Sequence, residues 1–396
     1  MKVPLVDLTR QYADLREEIE TASVDVLMNG NYIMGSNVRK FEKDFAAYVG
    51  TNHAVGVANG TDALIITLKA LGIGLGDEVI TTPFTFFSTP ESISFVGAIP
   101  VFADIRIDTF NLDEAKIEEA ITEKTKAIMP VHIFGQSCDM DAINRIAKKH
   151  GLWVIEDACQ AAGADYSGQR CGNLSDAACF SFFPTKNLSC AGDGGMITTN
   201  NADIALLCDA LRRHGSGEIG QRAYQLLHKE TAEAPSLQQS VDNTVYDPTK
   251  YYNYLIGHNS RLDEIQAAIL NIKLPRLDLY IDKRRAAAGY YNKALCDTPF
   301  TLPYEDSKGK HSYHLYILQS DSRDRIVKDL ADMGISTGVY YPVPMHKQMA
   351  YRKSPFRGND LPNADYLAKR TFAIPLFPEI TEEEMAAVAT GLRKAI

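Results

Sequence analysis

Lys186 follows a strand-like apolar run and is set apart from the lysines of an ordinary surface. The stretch ACFSFFPTKNLSCAGDGGMITTN (178–200) passes from a phenylalanine-rich run into Ser181, then Pro184, Thr185 and Lys186, then glycines. Burial penalises an ammonium, lowers the lysine pKa and makes the amine a usable nucleophile toward a carbonyl. In a second stretch, LWVIEDACQAAGA (152–164), an apolar strand ends in two acids, Glu156 and Asp157. Ligands of open parallel sheets lie beyond the carboxyl ends of the strands, so a carboxylate there can meet a ligand cation or proton. The third stretch, NGTDALIITLKALG (59–72), opens a helix after a strand with a glycine and a threonine. Free N–H groups and the helix dipole at such a start suit a phosphate, and the Thr61 hydroxyl adds a donor.

Each stretch taken alone also has an ordinary reading, as a solvated lysine, a salt-bridged acid or a helix cap. Together they describe one site at strand ends: a phosphate cradle, a carboxylate and a lysine. That constellation can hold pyridoxal 5′-phosphate. The lysine takes the aldehyde, the acid pairs with the pyridine nitrogen and the cradle takes the phosphate.

The elements that must position these groups alternate. Strand signals recur at 53–59, 78–83, 99–105, 126–134, 152–157, 177–183 and 194–200, with helical patterns at 61–71, 112–121 and 140–150. Continuous apolar strands separated by helices imply a mostly parallel sheet covered on both faces. The last two runs are too close for a helix between them, which predicts a hairpin and one antiparallel strand. A helix is expected at 202–213. Residues 215–258 then form a long polar excursion with Tyr224, Tyr246, Tyr251, Tyr252 and Tyr254 and no clear period. A stretch of that length is expected to be held by something, such as a second subunit. A helical stretch interrupted by Pro275 follows, and then a smaller α/β unit ending in TEEEMAAVATGLRKAI. The expected division is a large cofactor-binding domain at 1–260, a connecting helical stretch at 261–299 and a small domain at 300–396.

Other classes are set aside. Net charge is −9, which argues against nucleic acid as the main partner. No run of about 18 apolar residues occurs, so no membrane span is expected, and the N-terminus shows no leader pattern. The seven cysteines include no C-x-x-C and read as reduced thiols of a cytoplasmic protein. Phosphate-loop, G-x-S-x-G and H-E-x-x-H motifs are missing. His132 and His150 lack a partner at metal-ligand spacing, and no metal is expected.

The ordered motifs YIMGSNVRKFEKDFAAYVG (32–50), NGTDAL (59–64), GDEVITTPFTFFST (76–89), PVHIFGQSCDMDAI (130–143), VIEDACQAAGA (154–164), SFFPTKNL (181–188), GHNSRLDEIQAAIL (257–270) and YYPVPMHKQ (340–348) carry a resemblance. From about Val3 to the C-terminus the chain resembles the sugar aminotransferases of the DegT/DnrJ/EryC1/StrS type, within the fold-type I pyridoxal-phosphate enzymes. The fold so implied is α/β, a mostly parallel seven-stranded sheet in a large domain plus a small C-terminal α/β domain. By resemblance Lys186 carries the cofactor, Asp157 pairs with the pyridine nitrogen and Gln160 bonds the phenolic oxygen. Phe86 stacks on the ring. Thr61, Asp62 (through its backbone) and Ser181 hold the phosphate, and Asn259 reaches the phosphate of the neighbouring subunit in a homodimer with shared sites. His314, Tyr341 and His346 lie near the sugar nucleotide.

The implied activity is ping-pong transfer of an amino group from L-glutamate, released as 2-oxoglutarate, to a nucleotide-linked keto sugar in amino-sugar biosynthesis, of the lipopolysaccharide or O-antigen kind. GDGG (192–195) resembles members that aminate C3 more than the GEGG of C4 members, and the whole chain resembles those acting on UDP-linked N-acetylated 3-keto sugars. The alternatives are C4 amination or a dTDP-linked substrate. A dehydratase of the same fold would carry histidine in place of Lys186, and a catalytically silent regulatory protein would be free to lose Lys186 or Asp157.

Overall fold

The computed structural model describes residues 2–230 and 251–396. Its centre is a seven-stranded sheet of β1 (His53–Val57), β2 (Glu78–Thr81), β3 (Ile99–Phe102), β4 (Thr125–Met129), β5 (Trp153–Asp157), β6 (Ala177–Ser181) and β7 (Gly195–Thr199), in the order β1-β7-β6-β5-β4-β2-β3. Only β7 runs against its neighbours, pairing antiparallel with β1 and β6. The hairpin and the mostly parallel sheet are as the sequence predicts. Every parallel strand therefore ends on one edge, and the loops after Val57, Thr81, Met129, Asp157 and Ser181 gather there.

Strand side chains alternate between faces, and each face has its own helices. On one side Val79, Ala127, Ile155 and Cys179 pack with α3 (Gly60–Ala70), α4 (Ser88–Phe95) and α6 (Ala202–Leu211). On the other, Ile80, Ile128 and Val154 meet α5 (Met140–His150), while Ala178 and Phe180 meet α2 (Ser36–Val49) and α8 (Glu264–Lys273). The N-terminal α1 (Leu8–Asn29), α2 and α4 were not anticipated from sequence. The expected 112–121 helix is only a short 3-10 turn and Ile117–Ala120. Pro275 starts a tight turn between α8 and α9 (Leu277–Leu295), where its missing N–H costs nothing.

The 215–258 excursion is not uniformly irregular. Gly217–His228 forms α7, and Ile219, Ala223 and Leu226 pack it on the same core as α6. Those positions follow helical spacing, and the polar residues between them hide it. Residues 231–250, with Tyr246, lie outside the described residues.

The C-terminal unit pairs β8 (Tyr316–Gln319) with β9 (Thr371–Ile374), backed by α10 (Arg323–Asp332) and α12 (Glu382–Lys394), with α11 (Pro362–Ala368) before β9. Thr381 and Glu384 close a capping box at the start of α12. Its core includes Val3 and the second half of α9. No described helix is long and apolar enough to cross a membrane.

Alternation also separates the two acids of β5. Glu156 points to the α5 face and is fully buried. Its carboxylate accepts from Gly172 N (2.6 Å), Leu174 N (2.8 Å) and Ser175 Oγ (2.9 Å). His132 Nδ1 accepts from Cys138 N (3.2 Å), so Nε2 carries the proton and donates to Glu156 (3.0 Å). Cys171 is close enough to complete a ligand-like triad, but this carboxylate is already saturated by donors. Glu156→Ala leaves the N–H groups of Gly172 and Leu174 and His132 Nε2–H facing no acceptor, while Ser175 Oγ keeps Ala177 O. A buried donor left without an acceptor costs about 1–3 kcal/mol, and urea unfolding should show a loss of stability of at least that size. An unchanged midpoint would show that the network is not structural.

Candidate active site

At the start of α3 the N–H groups of Gly60 and Thr61 precede the first helical bond, Ala63 N to Asn59 O, and are donors without helical acceptors. The Asn59 side chain caps the helix by accepting from Asp62 N at 2.8 Å. Asp62 thus departs from its expected role, because its backbone N–H is already spent. A Cβ on Gly60 would lie 2.8 Å from Ser181 Cβ and 2.9 Å from Cys159 Sγ. Only glycine allows the helix start, the end of β6 and the turn after β5 to converge so closely.

Asp157, at the end of β5, faces α4. Its Oδ2 accepts from Thr89 Oγ1 (2.8 Å) and its Oδ1 from Cys159 N (3.2 Å). It is buried, and no ion pair to it occurs among the described residues. Lys186 follows a tight turn closed by its own N–H to Phe183 O (2.8 Å). Burial pushes its amine below the usual lysine range, and the nearby Asp157 carboxylate opposes that shift. The Cys159 thiol is itself driven well up by burial.

Gln160 is held at both ends of its amide. Oε1 accepts from Phe134 N (2.8 Å), and Nε2 donates to Tyr341 Oη (2.9 Å). Phe86, at the turn entering α4, leaves more than half of its ring exposed, at 60%. It is available to stack.

The C-terminal unit closes on the same edge. His314 N donates to Phe134 O (2.9 Å) and Ser312 N to Gly135 O (2.8 Å). Gly135 sits at φ +100°, and a Cβ there would come within 2.5 Å of Ser312 Oγ. The buried His314 ring leaves Nδ1 without a hydrogen bond. Burial and the cations Lys186 and Arg284 hold it far below the ordinary histidine range. It is a neutral imidazole beside the lysine. The Tyr341 ring stacks over Phe134 at 6.3 Å and 14°. His346 follows Met345, whose N donates to Pro83 O (2.8 Å), and its Nε2 lies 3.4 Å from Asp365 Oδ1 on α11.

Asn259 is exposed and bridges to Arg213, and the neighbouring Ser260 Oγ accepts from Ala58 N (3.1 Å). Beside it lies a cleft of about 840 Å³ whose lining includes Arg213, His214, Arg222, Asn253 and Arg261. Arg213 pairs with Asp209. Arg222 and Arg261 form no ion pair among the described residues.

The structure thus brings Thr61, Asp157, Gln160, Ser181, Lys186, His314 and Tyr341 to one edge. Sequence reasoning missed Thr89 and Thr85, although the hydroxyls of TFFST, four residues apart at a helix start, were the available signal. A half-buried amine, a buried carboxylate with no ion pair among the described residues, an exposed aromatic ring and a glycine-narrowed helix start fit pyridoxal phosphate and define an aminotransferase of this cofactor class.

The comparisons agree. The chain matches the DegT/DnrJ/EryC1/StrS aminotransferase family over residues 13–393, and it belongs to that family. It is 44% identical, over 98% of this chain and 97% of the relative, to a "Pleiotropic regulatory protein" of Geobacillus stearothermophilus. It is 40% identical, over 100% and 98%, to a UDP-N-acetyl-3-dehydro-alpha-D-glucosamine 3-aminotransferase of Acidithiobacillus ferrooxidans. Among solved structures it is similar to S. venezuelae DesV in complex with a ketimine intermediate. That match has a TM-score of 0.89 and 36% identity and covers 99% of this chain and 98% of that one. The protein is a pyridoxal-phosphate-dependent aminotransferase.

Borohydride reduction of the loaded enzyme, followed by peptide mapping, should mark Lys186. A mark on another lysine would remove it from the site.

Proposed function

We propose that the protein transfers an amino group from an amino acid, L-glutamate, to C3 of a UDP-linked N-acetylated 3-keto hexose, working as a homodimer with shared sites. The supporting observation is the half-buried Lys186 amine, whose charged form is disfavoured and which lies beside the Asp157 carboxylate and the neutral His314 imidazole. When bound, pyridoxal phosphate supplies an electron sink for the donor's α-carbon.

The chain's own residues do the rest. Thr61, the Gly60 and Thr61 N–H groups and Ser181 hold the phosphate, and Asn259 of each subunit adds to its partner's site. Phe86 covers the ring face. Asp157 keeps a proton on the pyridine nitrogen, and Gln160 donates to the phenolic oxygen. Lys186 carries the cofactor and, once displaced, moves the proton at the donor's α-carbon. Its lowered pKa supports this role, because an amine must be free of its own proton to accept one. His314 and Tyr341 face the incoming sugar.

The sugar nucleotide is supported by charge and by likeness. Arg222 and Arg261, without an ion pair among the described residues, suit a diphosphate, which they can bond bidentately. The Acidithiobacillus relative is named for a UDP-linked 3-keto substrate. A regulatory role is the second reading, favoured by the name of the Geobacillus relative. Retention of Lys186, Asp157 and Gln160 in one pocket weighs against a silent sensor, and a visible cofactor spectrum separates the two.

Three outcomes test the proposal. Mass spectrometry of products from a panel of UDP- and dTDP-linked 3-keto and 4-keto sugars with glutamate should show amination of the UDP-linked 3-keto sugar. Amination of a 4-keto sugar alone would overturn the C3 assignment. Arg222→Ala and Arg261→Ala should each raise KM for the sugar nucleotide about tenfold or more, the scale of a charge-assisted hydrogen bond, and leave the glutamate half-reaction intact. Asp157→Asn should lower turnover by several orders of magnitude and weaken cofactor binding far less, on the scale of about 1.4 kcal/mol per tenfold. Near-normal turnover would remove Asp157 from the chemistry.

A further inference from the structure

We infer that Thr89, with Thr85 behind it, is a positioning residue that orients the Asp157 carboxylate and keeps it a weak enough base to leave the proton on the cofactor's pyridine nitrogen. The inference rests on the role proposed above for Asp157.

The three side chains form a directed relay. Thr89 Oγ1 donates to Asp157 Oδ2 at 2.8 Å. Its single hydroxyl hydrogen is thereby used, so the 2.9 Å contact between Thr85 Oγ1 and Thr89 Oγ1 requires Thr85 as the donor. Asp157 Oδ1 takes its own donor, Cys159 N, at 3.2 Å. Thr85 is 1% exposed, Thr89 0% and Asp157 4%, so water cannot replace these bonds.

Donors to a buried carboxylate fix which of its lone pairs faces the ligand. Hydrogen bonds to the charged form favour it and lower its proton affinity. Donors polarised in series are stronger than one alone. Thr89 therefore decides between two arrangements of one proton, on the nitrogen or on Asp157. Loss of the hydroxyl shifts it toward Asp157 and frees the carboxylate to rotate. The relay also ties two parts of the site together. Thr89 N donates to Phe86 O at 3.3 Å, so the turn that presents the Phe86 ring is the turn that fixes Asp157. A purely structural role would need only that the buried hydroxyls satisfy each other, and would leave the cofactor unaffected.

Valine is close to threonine in shape and removes only the donor. The test loads wild type, Thr89→Val, Thr89→Ser, Thr85→Val and Asp157→Asn with pyridoxal phosphate isotope-labelled at the pyridine nitrogen. It reads the nitrogen NMR shift together with the glutamate half-reaction. In Thr89→Val the shift should move from the wild-type value toward that of Asp157→Asn. The half-reaction rate should fall about tenfold or more, the scale of a hydrogen bond to a charged group, with KM for glutamate little changed. Thr89→Ser should restore both readings, and Thr85→Val should move both less, in the same direction. A Thr89→Val protein with the wild-type nitrogen shift, whatever its melting temperature, overturns the inference. If Asp157→Asn itself keeps the wild-type shift, the role of Asp157 fails first, and that result is distinct from a failure of Thr89 alone.

Discussion

The saturated carboxylate of Glu156 fixes the phase of β5, and the geometry of the site depends on that phase. A strand can present a given residue to only one face, and a one-residue slip reverses every side chain. Glu156 is held on the α5 side by His132, Gly172, Leu174 and Ser175. Asp157 must then face α3 and α4, where Gly60 and Thr89 wait. The same loop locks the backbone, since His132 N donates to Asp157 O and Asp157 N to Pro130 O. One buried acid thus acts as an anchor for its neighbour, which makes no ion pair among the described residues.

The second constraint is the crossing of the C-terminal unit over the loop after β4. Phe134 sits at φ +58° and Gly135 at +100°, and this turns successive carbonyls toward His314 and Ser312. Arg284 on α9 supports the crossing from behind by donating to Tyr313 O, His314 O and Leu376 O. Burial without a bonded carboxylate pulls its pKa down to about 10. The cation it retains helps keep His314 neutral. Tyr341 reaches the pocket only because this closure brings its hydroxyl to Gln160.

The sequence made the sheet legible because each strand is a continuous apolar run bounded by turn residues. The site's outline was legible because the glycine, the acid and the lysine each sit next to a strand end in the chain. What stayed hidden depends on distance along the chain or on polar camouflage. Thr89 is 68 residues from Asp157, and Tyr341 is 181 from Gln160. No local pattern records either contact. Asp62 looked like a phosphate donor because its position was right, but the Asn59 cap consumes the N–H that position provides. In α7 the apolar stripe of Ile219, Ala223 and Leu226 was diluted by glycine and glutamine into something without an evident period.

The electrostatics also bear on whether such a pocket could serve sensing alone. Lys186 is held where its ammonium form is disfavoured, and burial beside Arg284 keeps His314 neutral. Both arrangements oppose folding, because a solvated, charged surface lysine and an apolar residue in place of the histidine would avoid the desolvation involved. A pocket that only recognised a sugar nucleotide would gain nothing from disfavouring the ammonium form, since a protonated amine binds phosphate better. Reaction with a carbonyl requires the free amine. The burial that lowers the pKa of Lys186 is therefore intelligible for a nucleophile and a proton carrier, and is a disadvantage for a simple anion receptor.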